Sequence, residues 1–543
     1  LSARGALGRA RSVAPTTTEG YAANVAKYRW FILAGLITAA IMEVLDTTIV
    51  NVALPTMAGN LGATSQEIGW VATGYILSNV VVLPMTAFLS ARFGRRNYLT
   101  FSILLFITAS FFCGTSHSLI ELVFWRIIQG AGGAALLATA QATLRQIFPL
   151  EEQGLVQAIF VMGIIVAPTL GPTLGGWISD NYTWNWCFFI NLPIGMASVF
   201  LVTTFLHDPP GMRKADAKVD WWGIGLLAVG LGALQYVLEE GQENDWFQDP
   251  TILKLAIISG VALIVMLWWE FSPKNTSPVV DFRILKNRSL AAAIFLFVTL
   301  GFGLYGVTFL FPLFTQNILG FTPTETGLAL MPGGIATAIS AIFCGRMLNG
   351  AKPLVDPRVL LFIGLAIFAF SMTQLAVMSP QSGEPDTRFA LMIRGFGLGM
   401  MFTPINQVAY ASLKPSEAQQ AAGLINLARQ LGGSFGIAIL GAYVANHVAM
   451  HRTDLVSNLA PSNPLLVQRL HMLTGAMLQR GYAPPVAQRM AIGLLDGTVN
   501  AQSTVIAYDD AFKMILLTFL AVTPAVLMLR KPKGAASMPS DAH

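Results

Sequence analysis

Charge is scarce in this chain. Only 11% of its 543 residues are Asp, Glu, Lys or Arg, while 54% are hydrophobic, and its mean hydropathy is +0.61. Soluble domains carry about 25% charged residues, so the composition excludes a soluble globular protein. Cysteine is scarcer still. Cys113, Cys187 and Cys344 all fall inside apolar runs, an odd number that argues against a disulfide framework and reads as small core residues. The six histidines are scattered, with no pair at helical ligand spacing inside an apolar run, so no metal site is expected. There is no GxxxxGK[ST] loop, which disfavours an ATP-driven pump, and no nucleophile–base set that would mark a membrane enzyme. No cofactor is expected. The pI is near 9.1, but the basic residues are spread over short loops rather than gathered in a patch, which speaks against a nucleic-acid partner.

What the chain has is apolar runs of about 20 residues, the length a helix needs to cross hydrocarbon. They predict an all-α polytopic membrane protein embedded in a lipid bilayer. The spans read as Trp30–Leu54, Gly69–Leu89, Tyr98–Gly114, Leu119–Leu144, Leu155–Ile178, Trp184–Leu206, Trp221–Leu238 and Thr251–Phe271. Six more follow, at Leu290–Gln316, Thr326–Leu348, Val359–Met378, Phe389–Ala411, Ala421–Asn446 and Ala511–Leu529. Alternate loops hold Arg92, Arg95 and Arg96, then Arg213, Lys214 and Lys218, then Lys274, Arg283, Lys286 and Arg288, then Lys352; both ends of the chain join this set. The positive-inside asymmetry places both termini in the cytoplasm and requires an even number of spans. Fourteen satisfies it; twelve does too if the seventh and eighth runs do not cross. Residues 1–29 lack the apolar core of a signal peptide and read as a cytoplasmic tail, with a second tail at 531–543.

The two halves echo each other in order and direction. "WRIIQGAGGAALL" in the fourth span resembles "MIRGFGLGMMFTP" in the twelfth, matching Arg126 to Arg394. "LGPTLGG" in the fifth has a weaker echo in "LARQLGGSFG" of the thirteenth. The expected organisation is a six-helix bundle at 30–206, a linker at 207–289 with two extra central spans, and a second six-helix bundle at 290–530. Parallel halves about a midplane site are a transporter architecture. The second bundle includes a long polar stretch at 447–510, whose "NPLLVQRLHMLTGAMLQRGY" and "PPVAQRMAIGLLDGTV" predict amphipathic helices too short to span.

A few residues carry chemistry. Glu43 and Asp46 share one face of the first span. A carboxylate in hydrocarbon is costly, and desolvation favours its neutral form, so both are candidate proton carriers. Arg126 is the only basic residue inside the first six spans, on one face with Gln129, Gly130 and Gly133. Arginine stays charged, so it suits a switch that holds Asp46 or Glu43 ionised. A structural anchor and a static pair remain the plain alternatives. The fifth span weakens its own helix with Pro168, Gly171, Pro172, Gly175 and Gly176; Gly171 and Gly175 form a GxxxG ridge suited to close helix contact.

Together these stretches resemble the major facilitator superfamily, and more narrowly its fourteen-span drug:proton antiporters of the EmrB/QacA type. "LDTTIVNVALP" is similar to the family's first-span motif, "WRIIQGAGG" to its fourth-span motif, "LGPTLGGW" to its antiporter motif and "WNWCFFINLPIG" to the opening of its sixth span. In the loop after the second span, Arg92, Gly94, Arg95 and Arg96 match the family pattern, but Ala87 and Ala91 replace its Gly and Asp, and Asn349 stands at the second-half Asp place. That departure puts the family's charge latch in doubt. The resemblance implies a major facilitator fold and proton-driven export of amphipathic, drug-like compounds from a bacterial inner membrane. Gln129, Tyr75, Met162, Phe302, Tyr305, Phe309, Arg394 and Asn406 are candidate cavity residues. It also implies a periplasmic EmrA-like membrane-fusion adaptor and an outer-membrane channel as partners, with 447–510 as docking surface or exit cap. A transporter of one defined metabolite, siderophore or lipid, or a non-transporting receptor or scaffold, is the alternative expectation.

Overall fold

Seventeen α-helices and no strand make up the residues described by the computed structural model: 18–64, 67–208, 219–273, 275, 278–348, 354–411, 413–414, 417–459 and 462–529. Within the fifth span several side chains, those of Pro168 and Pro172 among them, lie outside the description, as do Arg213, Lys214, Lys218, Lys274, Asn349, Lys352 and the tail at 531–543. The chain opens with α1 (Thr18–Leu61), α2 (Trp70–Val82), α3 (Thr86–Phe93), α4 (Arg95–Thr115) and α5 (Leu119–Ile147). Next come α6 (Leu150–Asn181), α7 (Trp186–Phe189), α8 (Asn191–Phe205), α9 (Trp221–Glu240) and α10 (Pro250–Phe271). The last seven are α11 (Arg288–Asn317), α12 (Pro323–Met347), α13 (Pro357–Leu375), α14 (Glu384–Ala411), α15 (Ala418–Ser457), α16 (Pro464–Gln479) and α17 (Pro484–Val522).

Each expected span maps onto one helix or one broken pair. The second is α2 and α3, split by a 3-10 turn at Leu83–Met85 where Pro84 removes a helix donor. The sixth is α7 and α8. Starts follow local chemistry: Asp249 caps α10 by accepting from Thr251 and Ile252 N–H, and Thr322 with Glu325 forms a reciprocal capping box on α12. Twelve of the described helical segments are long and apolar enough to cross a membrane. The two remaining expected spans are also long helices, α6 with 32 residues and α14 with 28. Several side chains in the apolar part of α6 lie outside the description, and α14 carries Glu384, Asp386, Arg388 and Arg394.

Burial is that of a protein in lipid. Large apolar side chains such as Phe101, Ile120, Phe200, Ile264 and Trp268 face outward, while Asp46, Arg126, Gln129 and Asn191 are fully or almost fully buried. With hydrocarbon outside, apolar exposure costs nothing and polar groups must find partners within the protein. One core joins α1, α4, α5, α6 and α8; a larger one joins α11, α13, α14, α15 and α17 and takes in Leu83, Ala134, Ala138 and Ala142. The α9–α10 pair sits against α2 and α15 through Leu227, Leu231, Val80 and Leu424.

The stretch at 447–510 departs from a connecting loop. No helix breaker follows Asn446, so α15 runs on to Ser457, and α17 begins at Pro484, well before Ala511. His451 bonds Asp510 at 3.0 Å and Arg452 pairs with Asp496 at 2.8 Å, tying the two extensions together. The two expected amphipathic segments are α16 and the start of α17. They pack on each other through Met477, Ala487 and Ala491, leaving Leu465, Met472, Ile492 and Leu494 exposed.

The fifth span remains helical through both prolines. Its glycine ridge presses on α1: a Cβ at Gly171 would collide with Thr48, and one at Gly175 would lie 2.5 Å from the Ile49 carbonyl oxygen. Thr173, between them, is not on a free face. Its hydroxyl fills the space a Cβ on Gly327 would need, so α6 is clamped between α1 and α12. Overpacking a tight contact costs about 1–3 kcal/mol or more. Gly175→Leu is therefore expected to lower the melting temperature and abolish function, whereas Gly260→Leu on α10, where a Cβ meets nothing within 4 Å, is expected to leave both unchanged. Thermal melts of the two purified variants check this.

Candidate functional site

Asp46 is the centre of a dry polar cluster. It sits at mid-length of the α1 span with 0% exposure, and its two oxygens are shared among three donors. Arg126 Nη1 on α5 donates to Oδ2 at 2.5 Å; Gln129 Nε2 and Asn191 Nδ2 donate to Oδ1 at 2.9 and 2.7 Å. The break between α7 and α8 puts Asn191 at the first position of α8, beside Asp46. Ser110 on α4 accepts from Gln129 at 2.6 Å. Arg126 has further partners: Nε donates to the Val71 carbonyl at 2.9 Å, Nη1 also reaches Gln129 Oε1 at 2.7 Å, and the guanidinium lies 4.4 Å from the Tyr75 ring centroid. A pair buried this deep survives only with its remaining donors and lone pairs satisfied.

Glu43 lies one turn earlier and has a different set of partners. Its oxygens accept from the Leu137 backbone N–H at 3.0 Å and from Asn79 Nδ2 at 3.4 Å. Arg126 pairs with Asp46, not with Glu43. Glu43 is instead within electrostatic reach of Arg429, on the facing half. Two acids three residues apart thus serve different surfaces, one inside a bundle and one toward the junction of the halves.

At that junction lies a narrow cavity of about 50 Å³. Val44 on α1 and Ile164 on α6 form one wall; Leu304 and Tyr305 on α11, Leu330, Gly333 and Thr337 on α12, and Leu391, Arg394 and Phe402 on α14 form the other, with Arg429 on α15. Of the side chains expected at a cavity, Tyr305 and Arg394 line it. Tyr75 and Gln129 belong to the Asp46 cluster, Phe302 is buried in the α11 core, Phe309 packs beside that core, and Met162 is half-buried on α6. Asn406 lies nearer the Arg92–Arg96 end, in a buried amide chain that joins the halves. Gln141 Nε2 on α5 donates to Asn406 Oδ1 at 2.5 Å, and Asn426 Nδ2 donates to Gln141 Oε1 at 3.0 Å. Gln419 Nε2 donates to Thr139 Oγ1 at 3.1 Å.

The loop expected to carry a charge latch is anchored within the first half. Gly94 takes φ +85° between α3 and α4, a conformation that suits glycine. Arg95 is fully buried and donates to Gln146 Oε1 at 2.5 Å and to the His207 carbonyl at 3.4 Å. Arg96 donates through its backbone N–H to Asp208 at 2.9 Å and through its side chain to the Thr203 carbonyl. Where Ala91 lacks a carboxylate, Asp208 supplies one at this end of α8, while Arg92 is half-buried beside Gly94.

Sequence reasoning had singled out Asp46, Glu43 and Arg126 but missed Asn191, Ser110, Asn79, Gln141 and Asn426. Their signal was present: each is a polar side chain inside an apolar run, where lipid offers it no partner. Among the described residues no cluster of His, Cys, Asp and Glu is arranged to hold a metal ion.

Comparison with known proteins agrees with this fold. Residues 36–437 match the family model of the Major Facilitator Superfamily. The chain is 33% identical over 507 residues to the multidrug export protein EmrB of Escherichia coli K12, covering 93% of this chain and 96% of that one. It is 32% identical to the fatty acid resistance protein FarB of Neisseria gonorrhoeae, covering 91% and 94%. The solved proton:xylose symporter XylE shares the fold at TM-score 0.56 and 12% identity, covering 94% of this chain and 97% of that one.

The Arg126 contacts define a test. Lysine keeps the charge but cannot reach Asp46, Gln129 and the Val71 carbonyl together from one nitrogen. Arg126→Lys is expected to slow turnover by about tenfold or more while the protein still folds. Initial rates in matched-expression vesicles check it, and parental rates across the pH range would exclude a switching role.

Proposed function

We propose, for a chain that belongs to the major facilitator superfamily and within it to the EmrB-type exporters, a proton-driven efflux cycle in which Asp46 and Glu43 take up protons and Arg126 controls Asp46. The single observation that carries this reading is the Asp46–Arg126 pair: a carboxylate with 0% exposure whose charge is held by one guanidinium and two amides. Protonating Asp46 removes the attraction that fixes α1 to α5, and the helices are then free to shift. Glu43, at the junction of the halves, links that event to the cavity. A multi-pass membrane protein with this family and this buried chemistry is a transporter, not an enzyme. No cofactor enters the cycle; the coupling ion is the proton.

The substrate reading is amphipathic and drug-like. The cavity wall is mostly apolar with a few polar anchors, which suits broad selection by shape and hydrophobicity. One proton moving down 100 mV releases about 2.3 kcal/mol, and a pH unit adds about 1.4 kcal/mol, enough for roughly a 100- to 1,000-fold gradient. We place the chain in a bacterial inner membrane with both termini cytoplasmic, fourteen spans, bundles at 30–206 and 290–530, and α9–α10 as the inserted pair. In that orientation the extensions of α15 and α17 with α16 project into the periplasm. Their exposed Leu465, Met472 and Ile492 support docking of a membrane-fusion adaptor that continues to an outer-membrane channel.

Gln141, Asn406 and Asn426 then form the cytoplasmic seal of this conformation. Asp46→Asn is expected to abolish proton-driven export in proteoliposomes while retaining substrate binding, because the amide mimics the protonated acid; full active export by this variant would refute the proton role. Gln141→Ala removes two buried hydrogen bonds across the seal, each worth about 1 kcal/mol, and is expected to raise the inward-open population by about tenfold or more. Maleimide labelling from the cytoplasmic side, at a single cysteine introduced at Ala138, reads that shift as a faster rate.

A further inference from the structure

One face of α2 serves both buried acids. Val71, Tyr75 and Asn79 stand at successive turns along it. The Val71 carbonyl accepts from Arg126 Nε at 2.9 Å, and Asn79 Nδ2 donates to Glu43 Oε1 at 3.4 Å. Tyr75, between them, is buried within electrostatic reach of Glu43, Asp46 and Arg126. Its ring carries the Arg126 guanidinium on its face, 4.4 Å from the centroid, and meets Phe106 of α4 edge-on. Its hydroxyl is buried with no hydrogen-bond partner. A Cβ on Gly133 would lie 2.6 Å from that hydroxyl oxygen and 3.3 Å from Asn79 Nδ2, so the phenol and the amide that holds Glu43 border the same glycine. Tyr75 thus spans the distance from one acid's partners to the other's.

A buried phenol ordinarily finds an acceptor, because a donor without one has lost its hydration for nothing. Asp46 does not need it, since its oxygens are shared among Arg126, Gln129 and Asn191. Glu43 does. Its Oε2 is well held by the Leu137 N–H at 3.0 Å, but the 3.4 Å bond from Asn79 to Oε1 is long for N–H···O. Glu43 stands one turn before Asp46 on α1, so a shift of α1 on protonation of Asp46 also moves Glu43 along the face of α2. We propose that Tyr75 is a positioning residue that couples the two acids: its ring keeps Arg126 at Asp46, and once Asp46 is protonated its hydroxyl donates to Glu43 and holds that carboxylate ionised. The phenol keeps its own proton throughout, and Glu43 gives its proton to water. The charged groups around Tyr75 are Glu43 and Asp46 on α1 and Arg126 on α5, with Arg429 of α15 beyond Glu43; α4 meets it with Phe106, and α9 meets α2 at Trp70. This deepens the export reading and rests on it for the use made of the protons, but the bond itself is testable without transport.

Infrared titration of the purified full chain, with glutamate isotopically labelled, reads the Glu43 carboxyl as the label-shifted band that disappears in Glu43→Gln. Asp46→Asn stands in for protonated Asp46. On that background Tyr75→Phe keeps the ring on Arg126 and removes only the hydroxyl. It is expected to raise the pH at which the Glu43 band is half-developed by about one unit, a tenfold loss of ionisation. With Asp46 intact the same substitution is expected to leave that pH unchanged, because there the hydroxyl has no partner. Monodisperse elution and an unchanged melting temperature show that each variant is folded. If the double variant is not, the C–O stretch of labelled tyrosine, assigned by Tyr75→Phe, replaces it: a Tyr75 band that shifts between wild type and Asp46→Asn supports the bond, and an unmoved band overturns it. An unchanged pH in the double variant, or an equal shift on both backgrounds, would also overturn the proposal. Proton-driven flux of ethidium by the wild type alongside either of those results means that the coupling through Tyr75 fails and the export reading stands. A shift confined to Asp46→Asn, without flux of any compound, means the reverse.

Discussion

A buried ion pair is stable only while both members and all their hydrogen-bonding groups are matched, and here that constraint organises the first half of the molecule. Asp46 and Arg126 come from α1 and α5, but keeping them in a dry interior also recruits Gln129, Ser110 from α4, Asn191 from the start of α8 and the Val71 carbonyl of α2. Five helices are thereby registered against one charge pair. The break between α7 and α8 sets Asn191 at the start of α8, where its amide reaches Asp46. Removing one partner from such a pair costs about 3–5 kcal/mol, because the other is left uncompensated. Protonating Asp46 leaves the Arg126 guanidinium uncompensated in the same way, which drives the helices to rearrange.

Much of this was legible in the sequence, for identifiable reasons. Apolar runs set by bilayer thickness located the helices, because length and hydropathy act one residue at a time. Asp46 and Arg126 stood out because a charge in lipid is exceptional, and Gly171 and Gly175 because a GxxxG spacing places two small residues on one helix face. What stayed hidden depends on three-dimensional proximity. Nothing in the order of residues tells that Asn191 meets Asp46 across 145 positions, or that Thr173 meets Gly327. The absence of a breaker after Asn446 is visible in hindsight, yet the pairing of α15 with α17 that stabilises their extensions is a tertiary fact. Arg394 stood out as the echo of Arg126, but its convergence with Arg429 on one cavity required the packing of α11 against both α14 and α15.

The two halves use buried polarity differently. In the first half it is self-contained around Asp46; across the junction it is an amide chain through Gln141, Asn406 and Asn426, made of neutral hydrogen bonds. Neutral amide bonds contribute about 1 kcal/mol each, so the junction is held by contacts weak enough to break in every cycle, while the bundles that move against each other are held by stronger ones. Glu43 sits between these regimes. It is three residues from Asp46, yet it faces the junction, within electrostatic reach of Arg429.

The central claim is that Asp46 changes protonation state as the molecule changes conformation, and infrared difference spectroscopy on the purified protein reads that event directly. With aspartate isotopically labelled, switching between outward- and inward-facing conditions should produce a protonated-carboxyl band that shifts with the label and vanishes in Asp46→Asn. A labelled Asp46 that remains ionised in both conformations, while transport proceeds, would contradict the account.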